Sequence, residues 1–399
     1  MSAVIENDDR VRHGVDVDLF SERSLLDPYA DYEQLREAGP IAWMKPHKVW
    51  VATRYEAVKR VLMEPDNFSS AQGIGFNDMV NEAWKGLLPT LDRPDHTVQR
   101  KVYDEVLRPQ VIAKYQDLIN ARAERSVDTL LDAREFDGAH FAERFPVSIM
   151  ADLVGFPDDA RRDHLVSWAT DSYNCCGPMG SFDASFSNMQ QLYAYVTEIA
   201  NRQTIPDGTF AAHALGAVER GEVSHQQCLG IIGGYATASL DTTANAVSLL
   251  LMLFAKHPDQ WAQVRDNPEI AQNAIREALR YETPAQWFTR VTTRDVVFDD
   301  IEIAAGTRMI HSYGAANRDP RKWPDPARFD VQRNTSGTLT WGFGIHACPG
   351  QFISIMEQRG LLTAMARRID RIELTGEPVH RINNLTRGLK LLPLRIHPR

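Results

Sequence analysis

The segment Leu229–Ala255 constrains the fold most, because it carries one charged residue, Asp241, in 27 positions of a 399-residue chain. A helix of this length and apolarity either spans a membrane or crosses the middle of a large domain. Its centre reads Ala-Thr-Ala-Ser-Leu-Asp-Thr-Thr-Ala-Asn, and an aspartate at the centre of a bilayer is costly. Lys256 suits a helix C-terminus, and Pro258 ends the helix. We therefore expect a core helix of a large, mainly helical domain.

Composition and charge exclude several classes of protein. The chain has 44 basic and 53 acidic residues, a net charge of −9, whereas a nucleic-acid-binding protein would show a basic surplus. Hydrophobic residues at 43% and charged residues at 24% are ordinary globular values, which excludes wholesale disorder. The first residues contain no apolar secretion signal, and adjacent Cys175 and Cys176 are not a natural disulfide pair. We expect a cytoplasmic protein with no nucleic-acid or membrane partner.

Hydrophobic periodicity predicts a mainly α-helical chain with a minor β-sheet, folded as a single domain over residues 1–399. The helix-rich body covers about 54–282 and 349–369. The β-rich parts cover about 41–53, 287–312 and 371–397. The first of these parts, Ile41–Thr53, has the pattern of a hairpin that turns at residues 46–48.

The strongest local signal is the sequence GFGIHACPG at residues 342–350. Three glycines around one cysteine let the backbone take positive φ angles and approach another group closely. Backbone N–H groups aimed at the Cys348 sulfur, and the N-terminus of the helix that follows, would both favour a thiolate ligand. A Gly-rich turn beside a structural cysteine has the same composition. Zinc is disfavoured, because no second ligand pair lies at zinc spacing.

This sequence resembles the heme-binding loop of the cytochrome P450 family, Phe-Gly-x-Gly-x-His-x-Cys-x-Gly, with Trp341 in place of the first Phe. The resemblance covers nearly the whole chain and implies the triangular-prism heme-thiolate fold. It implies heme b (iron protoporphyrin IX) as the cofactor, Cys348 as its axial ligand, and Phe343 and Gly344 beside the heme. A thiolate ligand favours O–O cleavage. Residues 317–320 and 383–389 look most like the bacterial para-methoxybenzoate demethylases.

Other family motifs lie at matching places in the chain. Glu277 and Arg280 match the family's Glu-x-x-Arg and share one helix face, and Glu277 lies 71 residues before Cys348. The resemblance implies that Arg328 completes this buried structural network, since a buried pair left without its third member would be costly. Four positions match the residues that bind the heme propionates in the family: His96, Arg100, Arg290 and His346.

The centre of the long helix resembles the oxygen-activation pattern Ala-Gly-x-Asp/Glu-Thr-Thr. The resemblance implies that Asp241 and Thr242 deliver protons during oxygen activation. Ser239 stands where the family usually has glycine, so a serine either permits a local bulge of the helix or joins the proton path. A threonine that bonds back to its own helix would give the same pattern with no such role.

By position, the resemblance indicates a compact substrate pocket formed by Tyr173, Cys176, Ala238, Ala285 and Phe288. Aromatic side chains at two of these positions, Tyr173 and Phe288, suit a small aromatic ring. Helix positions that hold a carboxylate in the benzoate-oxidising relatives correspond to Gly233 and Gly234, and Ser69–Trp84 contains no Lys or Arg. Because an unpaired buried carboxylate is costly, the sequence favours a neutral methoxylated ring over a benzoate.

The resemblance therefore implies a monooxygenase that inserts one oxygen atom of O2 into a C–H bond of a small aromatic substrate, with O-demethylation as the specific reaction. The chain contains no strand-borne Gly-x-Gly-x-x-Gly for a flavin or nicotinamide, so a ferredoxin or flavodoxin with an NAD(P)H-dependent reductase must supply electrons. Two alternatives stay open. One is a peroxide-driven peroxygenase on the same fold, against which Asp241 and Thr242 argue. The other is a heme-binding sensor without turnover.

Overall fold

The structure, a computed structural model, describes residues 9–202 and 205–399. Within them the chain is mainly α-helical, with small β-sheets. The helices are α1 Glu22–Leu26, α2 Tyr29–Ala38, α3 Tyr55–Met63, α4 Asp78–Ala83, α5 Asp95–Leu107, α6 Pro109–Ile112, α7 Gln116–Ala133, α8 Gly138–Val154, α9 Leu165–Asn174, α10 Asp183–Ala200, α11 Phe210–Glu219, α12 His225–Lys256, α13 Pro258–Asp266, α14 Ala271–Tyr281, α15 Tyr313–Ala316 and α16 Gln351–Arg368.

The strands are β1 Gly14–Val15, β2 Ile41–Met44, β3 Val49–Ala52, β4 Phe68–Ser69, β5 Glu135–Asp137, β6 Trp287–Thr292, β7 Val296–Phe298, β8 Ile301–Ile303, β9 Arg308–Ser312, β10 Ile369–Leu374, β11 Val379–His380, β12 Leu389–Leu391 and β13 Pro393–Pro398. In the described residues, the largest sheet has the order β1-β2-β3-β9-β6-β4. A second sheet joins β10, β13 and β5, and the remaining strands form the pairs β11–β12 and β7–β8.

The long helix α12 is continuous over 32 residues and lies in the core. Ser224 begins it with a capping box, in which its side chain accepts from the Gln227 backbone and the Gln227 side chain accepts from the Ser224 backbone. By length and composition α12 could cross a membrane, but 78% of its most apolar window is buried inside the protein. Helices α8, α9, α10 and α11 pack around it. The prediction of a core helix is confirmed.

The β-structure follows the sequence pattern closely at the predicted hairpin. Strands β2 and β3 pair in antiparallel register from Ile41↔Ala52 to Met44↔Val49, and Lys48 at the turn takes a φ of 50°. Strand β6 pairs with β9, which places Phe288 opposite His311 and Arg290 opposite Met309. The two-residue strand β4 and the three-residue strand β5 lie inside the predicted helical region. Such short strands exist only because partners distant in the sequence pair with them.

The predicted Glu-Arg-Arg network is present, but its third member differs from the prediction. Arg280 Nε donates to Glu277 Oε2 at 2.7 Å, and both side chains are fully buried. Arg333 Nε donates to Glu277 Oε1 at 3.1 Å. The Arg328 side chain is 67% exposed and lies 3.6 Å from Asp330, so the assignment of Arg328 is wrong. The turn directs the Arg328 carbonyl inward, where Arg333 donates to it at 3.0 Å, and its side chain therefore faces solvent.

The two arginines form a matched pair of mutants. Arg333→Ala should lower the free energy of unfolding by about 3–5 kcal/mol, because it removes one partner of a buried carboxylate. Arg328→Ala should change it by less than about 0.5 kcal/mol, as an exposed substitution does. Chemical denaturation of the purified protein measures both values. Equal effects of the two substitutions would contradict the network seen here.

Candidate active site

A large cavity lies between the centre of α12, the 342–350 loop and strand β6. It measures about 1470 Å³ including its open mouth. At one end Cys348 lies among the basic side chains of His96, Arg100, Arg290 and His346. The other lining residues are mostly apolar or aromatic and include Trp84, Leu87, Tyr173, Ala238, Ala285 and Phe288. The cavity is therefore basic at the cysteine end and mostly apolar elsewhere.

The loop around Cys348 has the geometry that its glycines predict. Gly342 and Gly344 take φ angles of 67° and 66°, where glycine is favoured. A Cβ atom on Gly344 would lie 2.5 Å from the Leu62 carbonyl oxygen, so the loop packs against the end of α3 only with glycine there. Burial raises the pKa of the Cys348 thiol, while the backbone N–H groups of Gly350 and Gln351 oppose this shift. These N–H groups face the sulfur, as predicted for a thiolate ligand.

Phe343 and Gly344 are outside the set of residues that line the cavity. Phe343 packs against the apolar cluster of α3 and the large sheet, and Lys59 Nζ lies 5.9 Å from its ring centroid. The residues from this loop that do reach the cavity include Trp341 and Gly342. Phe343 and Gly344 therefore hold the loop against α3 and the large sheet, outside the cavity lining.

The four predicted propionate-binding residues all line the cavity. Arg290 is 4% exposed, and the hydrogen bond it makes within the described residues goes from Nη1 to the Thr289 carbonyl at 2.8 Å. Burial lowers the pKa of His346 to about 2, and nearby Arg290 adds to the effect. The buried His96 Nε2 atom has no partner among the described residues. Buried donors without acceptors fit the carboxylates of a bound cofactor.

Two residues at this end of the cavity were missed by the sequence reasoning. Tyr313 lines the cavity, and its hydroxyl lies 3.2 Å from His311 Nε2. Ser70 Oγ lies 3.2 Å from His346 Nε2. Neither residue belongs to a recognisable motif, and both are brought here by the large sheet, through β9 and β4. No sequence signal distinguished them from ordinary core residues.

Thr242 and Asp241 lie on different faces of α12. Thr242 lines the cavity, and its hydroxyl donates to the Ala238 carbonyl at 2.7 Å. Asp241 is fully buried away from the cavity lining and accepts hydrogen bonds from Thr170 and from Asn245 Nδ2, the latter at 3.0 Å. Ser239 also bonds back to its own helix, at the Tyr235 carbonyl, and α12 shows no bulge there. The alcohol of the predicted pair thus faces the cavity, and the acid does not.

Among the predicted pocket residues, Tyr173, Ala238, Ala285 and Phe288 line the cavity. Cys176 is fully buried outside that lining, in the apolar cluster that contains Tyr173 and Leu385. Its carbonyl accepts from the Phe76 backbone N–H at 2.8 Å, which fastens the 73–77 segment to the end of α9. The chain turns after Asn174, and this turn directs the Cys176 side chain into the core.

The fold and this cavity define the class to which the chain belongs. The sequence profile of the family described as "Cytochrome P450" matches residues 189–397. A relative named "Cytochrome p450 CYP199A2", from Rhodopseudomonas palustris, is 35% identical over 389 residues, which cover 96% of this chain and 94% of the relative. The chain belongs to the cytochrome P450 family. It is a P450 monooxygenase, and heme is its cofactor.

Two further proteins show how widely the likeness extends. "Cytochrome P450 107B1" from Saccharopolyspora erythraea is 31% identical, over 94% of this chain and 96% of the relative. The solved structure of "Cytochrome P450 CYP109Q5 from Chondromyces apiculatus" matches with a TM-score of 0.83 at 26% identity, covering 96% of this chain and 99% of that one. Several relatives are named as hydroxylases, so a sensor without turnover is set aside.

Proposed function

We propose that this monooxygenase oxidises a small neutral aromatic substrate at a methoxy carbon. One oxygen atom of O2 enters a methyl C–H bond, and the resulting hemiacetal separates into a phenol and formaldehyde. The other oxygen atom leaves as water, with two protons from solvent and two electrons from an external donor. The observation that carries the proposal is that the cavity lining, apart from Cys348 and the four basic side chains, is mostly apolar and partly aromatic.

Each part of the cavity has its own role in this proposal. Cys348 would bind the heme iron through its thiolate, and His96, Arg100, Arg290 and His346 would hold the two propionates. When bound, heme supplies the reductive activation of O2 and the transfer of one oxygen atom to carbon. Thr242 holds a proton at its Oγ1 atom on the cavity wall, and Asp241 is the buried acid behind it. The apolar side chains keep bulk water away from the reacting carbon.

The preference for a neutral ring follows from the charges around the cavity. Among the described lining residues, the cationic or basic side chains are His96, Arg100, Arg290 and His346, all needed at the heme end. Gly234 lines the cavity, but a Cβ there would lie 2.2 Å from the Tyr103 hydroxyl. A carboxylate on the apolar side would therefore be buried without a cationic partner, which is costly.

A nearby arginine does not change this conclusion. Arg308 lies beside the 72–75 segment but is not among the lining residues. Its Nη1 atom donates to Thr289 Oγ1 at 3.0 Å, and its Nη2 atom donates to the Gln72 carbonyl at 2.7 Å. These donors already have acceptors and hold the segment against the sheet.

Aromatic side chains support a ring-shaped substrate. Tyr173 packs edge-on against Trp84, with ring centroids 6.0 Å apart, and both line the cavity. Phe288 packs edge-on against Tyr313 at 6.0 Å. Aromatic pairs add about 0.5–1.5 kcal/mol beyond area burial, so a substrate ring between such side chains would be held in a defined orientation. The small Ala238 and Ala285 leave room for ring substituents.

Titration with matched acids and phenols tests the substrate class. We expect 4-methoxyphenol and 2-methoxyphenol to shift the heme spin state, and 4-methoxybenzoate to bind at least about tenfold more weakly because its charge is unpaired. The shift in the absorbance spectrum gives each dissociation constant, and released formaldehyde measures demethylation. Tight binding of the acid with no response to the phenols would overturn the neutral-ring proposal. No response to either series would overturn the aromatic assignment.

The electron donor is proposed to be a ferredoxin or flavodoxin with an NAD(P)H-dependent reductase. Phe352 on the first turn of α16, just after Cys348, is 46% exposed. Arg359 is seven residues further on the same helix face and is also exposed. Arg108 is exposed at the start of α6, which packs against α16. An apolar contact flanked by arginines close to the cysteine suits a small acidic electron-transfer protein.

A further inference from the structure

The buried acid Asp241 faces polar side chains from three different elements. Thr170 of α9 donates to Oδ1, and Asn245 of α12 donates to Oδ2. Thr386, in the turn after β11, also faces the carboxylate and lowers its pKa. Asp241 is 0% exposed and faces away from the cavity. For this group to supply protons repeatedly, it needs a connection to solvent on the side opposite the cavity.

The hydrogen bonds on that side continue from Asp241 to the protein surface. Arg381, which directly follows β11, donates from Nη1 to Thr170 Oγ1 at 3.1 Å. Its Nη2 atom donates to Glu143 of α8. The side chains of Arg381 and Glu143 are 22% and 33% exposed, whereas Thr170 is buried. The connection from Asp241 to solvent therefore passes through Thr170, Arg381 and Glu143 in turn.

The other partner of the carboxylate is rigidly fixed. A Cβ atom on Gly388 would lie 1.8 Å from Asn245 Oδ1, so the backbone of the 383–388 turn packs directly against this amide. The same turn is held by Asn383, whose Nδ2 atom donates to the Thr170 carbonyl at 2.8 Å. Asn245 has no room to swing, whereas the Thr170 hydroxyl rotates about one bond and Arg381 is partly in solvent. Solvent can therefore approach the Asp241 carboxylate on the side of Thr170 and not on the side of Asn245.

We propose that Arg381 is a positioning residue for proton delivery, because it orients the Asp241 carboxylate through Thr170. When the Arg381 side chain moves away from Thr170, a water molecule from solvent takes its place. Asp241 gives a proton towards Thr242 and regains one from that water through the Thr170 hydroxyl. Arg381 keeps its own proton throughout. This inference rests on the proposed proton delivery by Asp241 and Thr242. It adds Thr170 to that pathway, and it adds Arg381, bonded to Glu143, as the residue that positions Thr170.

Charge and burial act in opposite directions on the acid. Burial raises the pKa of Asp241, whereas the hydrogen bond from Thr170 and the positive charge of Arg381 lower it. The other titratable groups that face it among the described residues are Tyr173 of α9 directly and Glu143 of α8 through Arg381. Removing the charge of Arg381 therefore raises the pKa of Asp241 further.

Three variants of the heme-bound enzyme test the proposal. The readout is NADH-driven O2 consumption with an excess of ferredoxin and ferredoxin reductase and with 4-methoxyphenol present, because O2 reduction needs protons whether or not product forms. Thr170→Val should lower the maximal rate about tenfold and raise the solvent isotope effect, since general acid–base contributions are about 10²–10⁴-fold and only the resupply of protons is lost. Arg381→Ala should shift the pH profile of the rate to higher pH, and Arg381→Lys should bring the profile back towards that of the wild type.

Controls separate this proposal from loss of structure and from the proposed function. Arg395→Ala removes a similar Arg–Glu pair, with Glu135 at 2.6 Å, far from α12 in sequence, and should leave the pH profile unchanged. Heme content and the substrate spin-state shift report folding in every variant. If Asp241→Asn slows O2 consumption while the Thr170 and Arg381 variants keep wild-type rates, pH profiles and isotope effects, the positioning role is overturned. If Asp241→Asn also keeps the wild-type rate of O2 consumption, the proposal that this acid delivers protons is overturned instead.

Discussion

Cys348→His is expected to leave a protein that folds and retains some heme but gives none of the thiolate-type absorbance of the reduced CO complex. Monooxygenase activity should be lost entirely, because a thiolate ligand favours O–O cleavage and a neutral imidazole does not donate comparable charge. The loop should tolerate the substitution structurally, since Gly342 and Gly344, whose positive φ angles shape it, are unchanged. The reduced-plus-CO spectrum of the purified variant checks the prediction directly.

Another buried cysteine provides the control for this experiment. Cys228 is fully buried near the start of α12 and outside the cavity lining. Cys228→Ala should retain the full thiolate-type spectrum, with at most a modest loss of stability. A Cys348→His protein that kept the thiolate-type spectrum would refute the ligand assignment. The ligand assignment would also be refuted if the Cys228 variant lost that spectrum and the Cys348 variant did not.

Thr242→Ala is expected to bind heme and substrate normally while diverting most reducing equivalents from product to hydrogen peroxide. Thr242 lines the cavity, and in the proposed function its hydroxyl holds a proton for oxygen activation. Proton transfer by a positioned side chain typically contributes about 10²–10⁴-fold, so the yield of product per NADH should fall sharply. Asp241→Asn should instead slow O2 consumption itself. Product, peroxide and NADH are measured in the same reaction.

A second threonine on α12 tests whether position matters or only residue type. Thr237 also lines the cavity, and its hydroxyl donates to the Gly233 carbonyl at 2.9 Å. Thr237→Ala should keep wild-type coupling, because it lies more than one helical turn from Thr242. If Thr242→Ala and Asp241→Asn both couple NADH to product as well as wild type, the proton path lies elsewhere. Ser239, whose hydroxyl bonds back to its own helix as that of Thr242 does, would then be the first residue to test.

The predictions that succeeded from sequence were those carried by local patterns. The hairpin at 41–53, the long helix and the Gly-rich loop each depend on residues close together in the chain, so their spacing indicates the structure directly. The Glu277–Arg280 pair is similarly local, three residues apart on α14. The third arginine was misassigned because Arg328 and Arg333 lie on the same irregular segment. Only the turn between them decides which side chain points inward.

The sequence by itself determined the class of this protein, because a cysteine among glycines, an acid–alcohol pair on an apolar helix and a Glu-x-x-Arg each require particular residue types at short spacing. The tertiary structure decided which face each side chain presents. It turned Asp241 away from the cavity and Cys176 into the core, and it brought Tyr313 to the basic end of the cavity. The connection from Asp241 through Arg381 to Glu143 joins residues up to 238 positions apart. Such contacts depend on how helices and turns pack together, which no local spacing specifies.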